Sequence, residues 1–172
     1  MSSKDQNLSE GTKQKLKSVE GFSFAIIVSD WNEDITYSLR DACIETLKQN
    51  GAKKENILIR HVPGAFELPL GARLIMGQEK VDAAICLGCV IKGETDHDIY
   101  INNAVAGGIM NLGLTSKKPV IFGVLTPNTK EQALDRAGGA FGNKGVEAAV
   151  TAIRMAGIKE ELKKKEKNKI GF

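Results

Sequence analysis

Four short apolar runs, separated by longer stretches with helical periodicity, constrain the fold of this 172-residue chain more than any other feature. The runs occupy residues 22–30, 56–62, 82–91 and 119–125. They show little polar alternation, so we interpret them as strands that are buried on both faces. Strands that alternate with helices form a parallel sheet with helices on both sides. The sequence therefore predicts one α/β domain, a three-layer sandwich around a four-stranded parallel sheet.

The stretches between the runs have apolar residues at the spacing of amphipathic helices. We expect helices to begin at Asn32 as the cap, after Pro63-Gly64, after the acidic turn 93–97, at 126–128, and at about Gly145 after the segment GGAFGNKG. The apolar positions that define these helices include Ile35, Leu39, Cys43, Leu47, Leu68, Leu74, Ile75, Ile99, Ala104, Val105, Ile109 and Leu112.

Composition and charge exclude several classes of protein. A net charge of +3 is too small to indicate nucleic-acid binding. No apolar run is long enough to span a membrane, and the polar N-terminus lacks the features of a signal peptide, so we expect a cytoplasmic protein. Residues 1–20 are predicted as a polar extension, 21–158 as the domain, and 159–172 as a charged, solvated tail.

The three cysteines are too few and too odd in number for a disulfide framework. Cys86 and Cys89 form a C-x-x-C pair, which in other proteins serves redox chemistry or zinc binding. Here both lie within a predicted strand, where a spacing of three directs them to opposite faces. We therefore expect two buried structural cysteines, and the absence of a dense cluster of ligands predicts no metal site.

Unusual residues follow the strands, where the carboxyl ends of a parallel sheet bind ligands. Trp31 could stack on a planar heterocycle or could cover the edge of the core. Glu67, in PGAFE, could accept hydrogen bonds from a polyol or a ring N–H, or could simply favour the dipole at a helix start.

The segment GETDH after the third strand offers backbone amides and the Thr95 hydroxyl as a phosphate seat, although a surface turn that caps a helix has the same pattern. His97, expected one turn into the helix, could transfer protons near neutral pH. His61, within a strand, is interpreted as structural. The segment GGAFGNKG lacks the Gly-Lys-Ser/Thr ending of a nucleotide loop, but Arg136 and Lys144 could bind one phosphate.

Four motifs in the same order resemble the lumazine synthase family, namely WNEDI, VPGAFELP, LGCVIKGETDH and RAGGAFGNKG. The resemblance covers about residues 22–158. It implies a flavodoxin-like fold and the condensation of 5-amino-6-(D-ribitylamino)uracil with 3,4-dihydroxy-2-butanone 4-phosphate, without cofactor or metal. Trp31 replaces a frequent phenylalanine, Lys92 a frequent arginine, and Asp98-Ile99 a common Phe-Asp pair.

The resemblance also implies a role for each matching residue. His97 is the expected proton-transfer residue. Glu94, Thr95 and Arg136 are expected to bind the phosphate. The residues expected to bind the pyrimidine and its ribityl chain are Trp31, Ala65, Phe66, Glu67, Cys89, Val90, Ile91, Phe122 and Lys144.

In this family Phe122, Arg136 and Lys144 come from an adjacent subunit, so the resemblance implies a homo-oligomer with shared active sites. The uninterrupted spacing from Arg136 to Lys144 resembles members that build icosahedral shells from pentamers. Riboflavin synthase is the candidate partner.

Three other functions remain open from the sequence. A flavin-binding module of the same fold would use Trp31 without needing His97 and Arg136 together. A lyase could form a covalent imine on Lys92 or Lys144. A structural shell protein would need none of the site residues.

Overall fold

The computed structural model of the chain describes residues 18–170, and it describes side chains as far as residue 165. Most of the predicted N-terminal extension at 1–20 therefore lies outside the described residues, as do the last two residues of the predicted tail.

The predicted sheet is confirmed. Its four strands are β1 (Phe24–Ser29), β2 (Ile57–Val62), β3 (Ala83–Cys89) and β4 (Val120–Leu125). They lie in the order β2-β1-β3-β4, and each neighbouring pair is parallel. All four carboxyl ends therefore meet at one edge of the sheet.

Residues 18–170 contain five α-helices, which flank the sheet on both faces, so the predicted three-layer arrangement is also confirmed. They are α1 (Glu33–Gln49), α2 (Leu68–Gln78), α3 (His97–Ser116), α4 (Lys130–Asp135) and α5 (Lys144–Ile170). One apolar core lies between the sheet and α1 and α5, and a second lies between the sheet and α2 and α3. Single turns of 3₁₀ helix at Lys54–Asn56 and Ala65–Glu67 precede β2 and α2.

Two parts of the chain differ from the sequence prediction. The segment GGAFGNKG contains a short antiparallel hairpin, β5 (Ala137–Gly139) with β6 (Gly142–Asn143). Gly138 and Gly142 have φ angles of 117° and 77°, which side chains other than glycine rarely adopt. The hairpin thus depends on backbone freedom at these two glycines, which hydrophobic periodicity does not report.

Several apolar positions that were assigned to helices face outward instead of inward. Leu74 is 60% exposed and Ile99 is 50% exposed, and Ala104 is exposed as well. Strand β2 is only partly buried, because it lies at the edge of the sheet. The single chain therefore exposes apolar side chains on α2 and α3 that are not buried in its own core.

The cysteines lie as the strand spacing predicted. Cys86 packs in the core beneath α2 and α3, whereas Cys89 packs in the core beneath α1 and α5. Burial raises the pKa of both thiols to about 12, and it raises the pKa of the Cys43 thiol as well. Burial therefore disfavours the reactive thiolate form of all three cysteines in the folded chain.

The charged tail continues α5 as far as Ile170, and residues 161–165 are exposed along it. Among residues 18–170, no helix has the length and apolarity that crossing a membrane requires.

The start of α5 packs directly on the backbone of α1 at Gly145. A Cβ atom there would lie 1.9 Å from the carbonyl oxygen of Leu39. The two helices would have to move apart to relieve this contact. Gly157, later in α5, has nothing within 4 Å of its Cβ position.

We expect Gly145→Ala to lower the free energy of unfolding by about 1–3 kcal/mol or more. Gly157→Ala, the matched control, should raise it by about 0.5–1 kcal/mol. Equilibrium denaturation measures both, and equal effects would contradict the close contact.

Candidate active site

A cleft of about 510 Å³ lies at the carboxyl ends of β1, β2 and β3. The chain leaves β1 for α1 on one face of the sheet and leaves β3 for α3 on the other, so the two neighbouring strands diverge and open a crevice between them. The residues that line the cleft are Trp31, Pro63, Gly64, Ala65, Phe66, Glu67, Cys89, Val90, Ile91, Gly93, Thr95, His97, Asp98 and Ile101.

Asn32 links the two sides of this crevice. Its side-chain amide donates a hydrogen bond of 3.0 Å to the carbonyl oxygen of Cys89, at the end of β3. Its backbone is left-handed, with φ 62° and ψ 48°, and its carbonyl accepts from the amides of Ile35 and Thr36. Asn32 occupies the N-cap position as predicted, but its side chain caps nothing. The side chain does not cap the helix but connects the end of β1 to the end of β3 across the crevice.

Trp31 projects from the end of β1 and is 72% exposed. Its amide donates a hydrogen bond of 3.1 Å to the carbonyl of Pro63, which fixes its backbone against the next wall of the cleft. A side chain so exposed covers little of the core of this chain, and its stacking on a planar ligand stays a prediction. Its aromatic face is available to a planar ligand in the cleft.

The second wall of the cleft is the 3₁₀ turn Ala65–Glu67. This turn lies close to β3, because a Cβ on Gly88 would meet Leu68 at 2.9 Å and Ala65 at 3.4 Å. The Glu67 carboxylate folds back toward Gly64, 3.1 Å from where a Cβ would stand on that glycine. The glycines at 64 and 88 thus allow the wall and its carboxylate to approach the strand ends.

The third wall is the turn before α3. Thr95 and His97 are exposed and both line the cleft. His97 is the first residue of α3, not a residue one turn inside it, so it lies at the positive end of the helix dipole. Glu94 belongs to the same turn but does not line the cleft. Of the predicted residues, nine therefore meet in this single cleft.

Phe122, Arg136 and Lys144 lie elsewhere, in a depression of about 730 Å³ along the outer edge of β4. The Arg136 guanidinium donates a hydrogen bond of 2.9 Å to the carbonyl of Gln132 and lies 4.9 Å from the centre of the Phe141 ring. Lys144 forms an ion pair with Glu147. These contacts hold both cations at the surface of the depression.

The two surfaces differ in charge: the cleft carries carboxylates, whereas the depression carries Arg136 and the Lys144–Glu147 ion pair. Among the described residues that line the cleft there is no lysine or arginine, whereas Glu67 and Asp98 contribute carboxylates. Lys92 does not line the cleft either. A phosphate would therefore meet no fixed cation in the cleft of one chain, but the β4 depression carries two.

No group of three or more histidine, cysteine, aspartate or glutamate side chains within residues 18–170 is arranged to hold a metal ion.

Sequence reasoning missed a polar cluster directly behind Trp31. Asp30 accepts hydrogen bonds from His61 at 2.7 Å and from Tyr37 at 3.0 Å. Asp30 directly follows β1, His61 lies in β2 and Tyr37 lies in α1, and the parallel pairing of β1 with β2 brings the first two together. His61 has the structural role that the sequence suggested, but on the exposed edge of the sheet.

The comparisons with known proteins agree on one family. A family model described as 6,7-dimethyl-8-ribityllumazine synthase matches residues 21–160. The chain is 52% identical over 155 residues to the protein of that name from Cytophaga hutchinsonii, covering 90% of this chain and 97% of that protein. It is 53% identical over 132 residues to the one from Bacteroides fragilis, covering 77% and 92%. With the one from Flavobacterium psychrophilum it shares 44% over 161 residues, covering 94% and 85%.

The left-handed backbone and the side-chain bond of Asn32 can be separated by mutation. Asn32→Gly keeps the backbone conformation and loses the bond to Cys89, so it should cost about 0.5–1.5 kcal/mol of stability. Asn32→Ala loses the bond and also strains the backbone, which adds about 1–2 kcal/mol. Urea denaturation of the two variants checks the order. Equal stability of Gly and Ala at this position would contradict the left-handed conformation.

Proposed function

The chain belongs to the 6,7-dimethyl-8-ribityllumazine synthase family, and we propose that the cleft at the ends of β1, β2 and β3 forms the half of its active site that binds the pyrimidine substrate. The enzyme is a transferase of riboflavin biosynthesis. It condenses 5-amino-6-(D-ribitylamino)uracil with 3,4-dihydroxy-2-butanone 4-phosphate to give 6,7-dimethyl-8-ribityllumazine, phosphate and water.

One observation carries the proposal: Trp31, Glu67 and His97 come from three different strand ends and line one cleft. In our proposal the uracil ring stacks on Trp31 and contacts Cys89, Val90 and Ile91. The ribityl chain lies along Ala65–Glu67, where the Glu67 carboxylate accepts hydrogen bonds from hydroxyl groups.

The butanone phosphate lies on the other side of the uracil, near the start of α3. Thr95 and the turn that contains Glu94 face its phosphate, where a helix N-terminus favours an anion. The 5-amino group attacks the ketone and forms an imine with loss of one water, phosphate is eliminated, and the ribityl-bearing amine then closes the ring with loss of a second water. His97 is placed to transfer protons during these steps. Both reactive groups belong to the substrates, so proximity and orientation supply most of the acceleration.

The cation that the phosphate needs comes, in our proposal, from an adjacent subunit. The β4 depression of that subunit would bring Arg136, Lys144 and Phe122 to the cleft. Two unlike surfaces that join in this way make a head-to-tail interface, which closes into a ring. The exposed apolar side chains of α2 and α3 support burial between subunits. We further propose a pentamer, assembly of pentamers into an icosahedral shell, and riboflavin synthase as partner.

We place the reaction in the cytoplasm, where reducing conditions maintain free thiols. All three cysteines of the chain are unpaired.

The test of the proposed activity is incubation of the purified protein with both substrates while lumazine fluorescence and free phosphate are measured. Each signal should require both substrates, and particle size should be determined on the same sample. A protein that binds the pyrimidine but releases no phosphate would contradict the proposal. Borohydride trapping of substrate on Lys92 or Lys144 would indicate covalent catalysis instead.

His97→Ala should reduce kcat by about 10²-fold or less, the lower end of the range for general acid–base catalysis. The reduction is moderate because a bound amine and ketone condense without much assistance. The matched control is Lys54→Ala, an exposed position in the 3₁₀ turn before β2, which should leave kcat unchanged. Complete loss of activity in a correctly assembled His97→Ala protein would mean that His97 does more than transfer protons.

Mixed oligomers test whether the site is shared. His97→Ala and Arg136→Ala each damage every site of their own homo-oligomer. In a randomly mixed ring about a quarter of the sites regain both groups, so activity should exceed the mean of the two separate mutants. Two affinity tags verify that the chains are mixed. Activity equal to that mean in verified mixtures would place both residues in the same site of one chain.

A further inference from the structure

The cluster of Asp30, His61 and Tyr37 lies behind the cleft and contributes nothing to its lining. Both hydrogen bonds to Asp30 end on the same carboxylate oxygen, Oδ1. The Tyr37 and His61 rings contact each other edge to face, with centres 5.2 Å apart. The Arg40 guanidinium lies over the Tyr37 ring, with its carbon 4.3 Å from the ring centre. The cluster is therefore a connected unit in which the aspartate is the shared acceptor.

The position of Asp30 gives this unit a direct connection to the site. Asp30 is the residue before Trp31, and its amide donates to the Val62 carbonyl at 2.8 Å, next to the bond from Trp31 to Pro63. The carboxylate thus joins the end of β1 to β2 and α1 at the point where the tryptophan leaves the sheet. The hydrogen bond from His61 and then that from Tyr37 lower the pKa of Asp30, so the carboxylate is ionised and accepts both bonds at neutral pH.

Stability alone gives a weak reason for such a cluster. The His61 and Asp30 side chains are 36% and 48% exposed, and exposed ion pairs contribute little to folding. The Trp31 side chain is 72% exposed, so packing within the chain does little to fix it. The backbone of residues 30 and 31 is bound to the Val62 and Pro63 carbonyls, and the Asp30 side chain adds its two bonds to His61 and Tyr37 at the residue next to Trp31.

We propose that Asp30, His61 and Tyr37 are positioning residues that orient Trp31 for stacking on the pyrimidine substrate. The inference rests on the proposed function, in which Trp31 binds the uracil ring. None of the three touches substrate, so they act on the binding of one substrate and leave the phosphate side of the site alone.

The test uses variants that remove one hydrogen bond at a time. His61→Phe keeps a ring against Tyr37 and loses the donor, whereas His61→Asn retains a donor near the position of Nδ1. Tyr37→Phe loses only the hydroxyl. The matched control is Arg60→Gln, at an exposed residue on the same strand whose guanidinium donates a hydrogen bond to the neighbouring Ile59 carbonyl. All are measured as assembled oligomers with steady-state kinetics for both substrates.

Trp31 is the only tryptophan of the chain, so its fluorescence reports its own motion without interference. In the absence of substrate, His61→Phe and Tyr37→Phe should increase the amplitude of fast local motion in time-resolved anisotropy. Both should raise KM for ribitylaminouracil about two- to fivefold, with kcat and KM for the butanone phosphate unchanged. His61→Asn should recover part of the loss, and Arg60→Gln should resemble the unmodified protein.

Unchanged Trp31 anisotropy in His61→Phe would overturn the proposal, and so would equal changes in KM for the two substrates. These outcomes differ from failure of the proposed function, in which the unmodified protein itself would form no lumazine. A third outcome is greater motion of Trp31 in the variants with an unchanged KM for ribitylaminouracil. The cluster would then position the tryptophan, but the tryptophan would not bind the uracil ring, and this result would also overturn the proposal.

Discussion

The divergence of β1 and β3 at their carboxyl ends is the constraint on which the site depends. The two strands pair along five residues, and then their chains leave the sheet toward opposite faces. A crevice follows from this topology whatever side chains surround it. The bond from Asn32 to the Cys89 carbonyl links the two sides of the crevice. The bond requires a residue that adopts the left-handed backbone conformation and carries a short amide side chain. Asparagine meets both requirements.

In the proposed active site, the groups that bind the two substrates are divided between two surfaces according to charge. The cleft provides an aromatic face, a carboxylate and a histidine, which suit a neutral, hydroxylated pyrimidine. The depression at β4 provides Arg136 and Lys144, which suit an anion. In the proposed assembly neither surface is complete without the other. Within each chain Arg136 lies away from the cleft carboxylates, and one of its N–H groups donates to the Gln132 carbonyl, so in the proposed assembly its other donors bind the phosphate.

Much of the fold follows from the sequence because it depends on local periodicity. The four apolar runs correctly predicted the strands of the sheet. The spacing of three between Cys86 and Cys89 correctly predicted that they face opposite sides of it. The motifs at the strand ends placed Trp31, Glu67 and His97 together, since parallel strands share one carboxyl edge. Contacts between residues that are distant in the sequence were not predicted, because they depend on how the strands align in the folded chain. Asn32 contacts a carbonyl 57 positions away, and Asp30 meets His61 only through the alignment of β1 with β2.

The buried thiols make the chain a convenient scaffold for site-selective conjugation. Cys86 and Cys89 are buried, and with a pKa of about 12 only about one thiol in ten thousand is ionised at pH 8. Maleimides and disulfide reagents attack the thiolate, so all three native cysteines should remain unmodified in the folded protein. One cysteine introduced at an exposed position of α5, such as Glu161, would then carry a dye or a cargo without any need to replace the native residues.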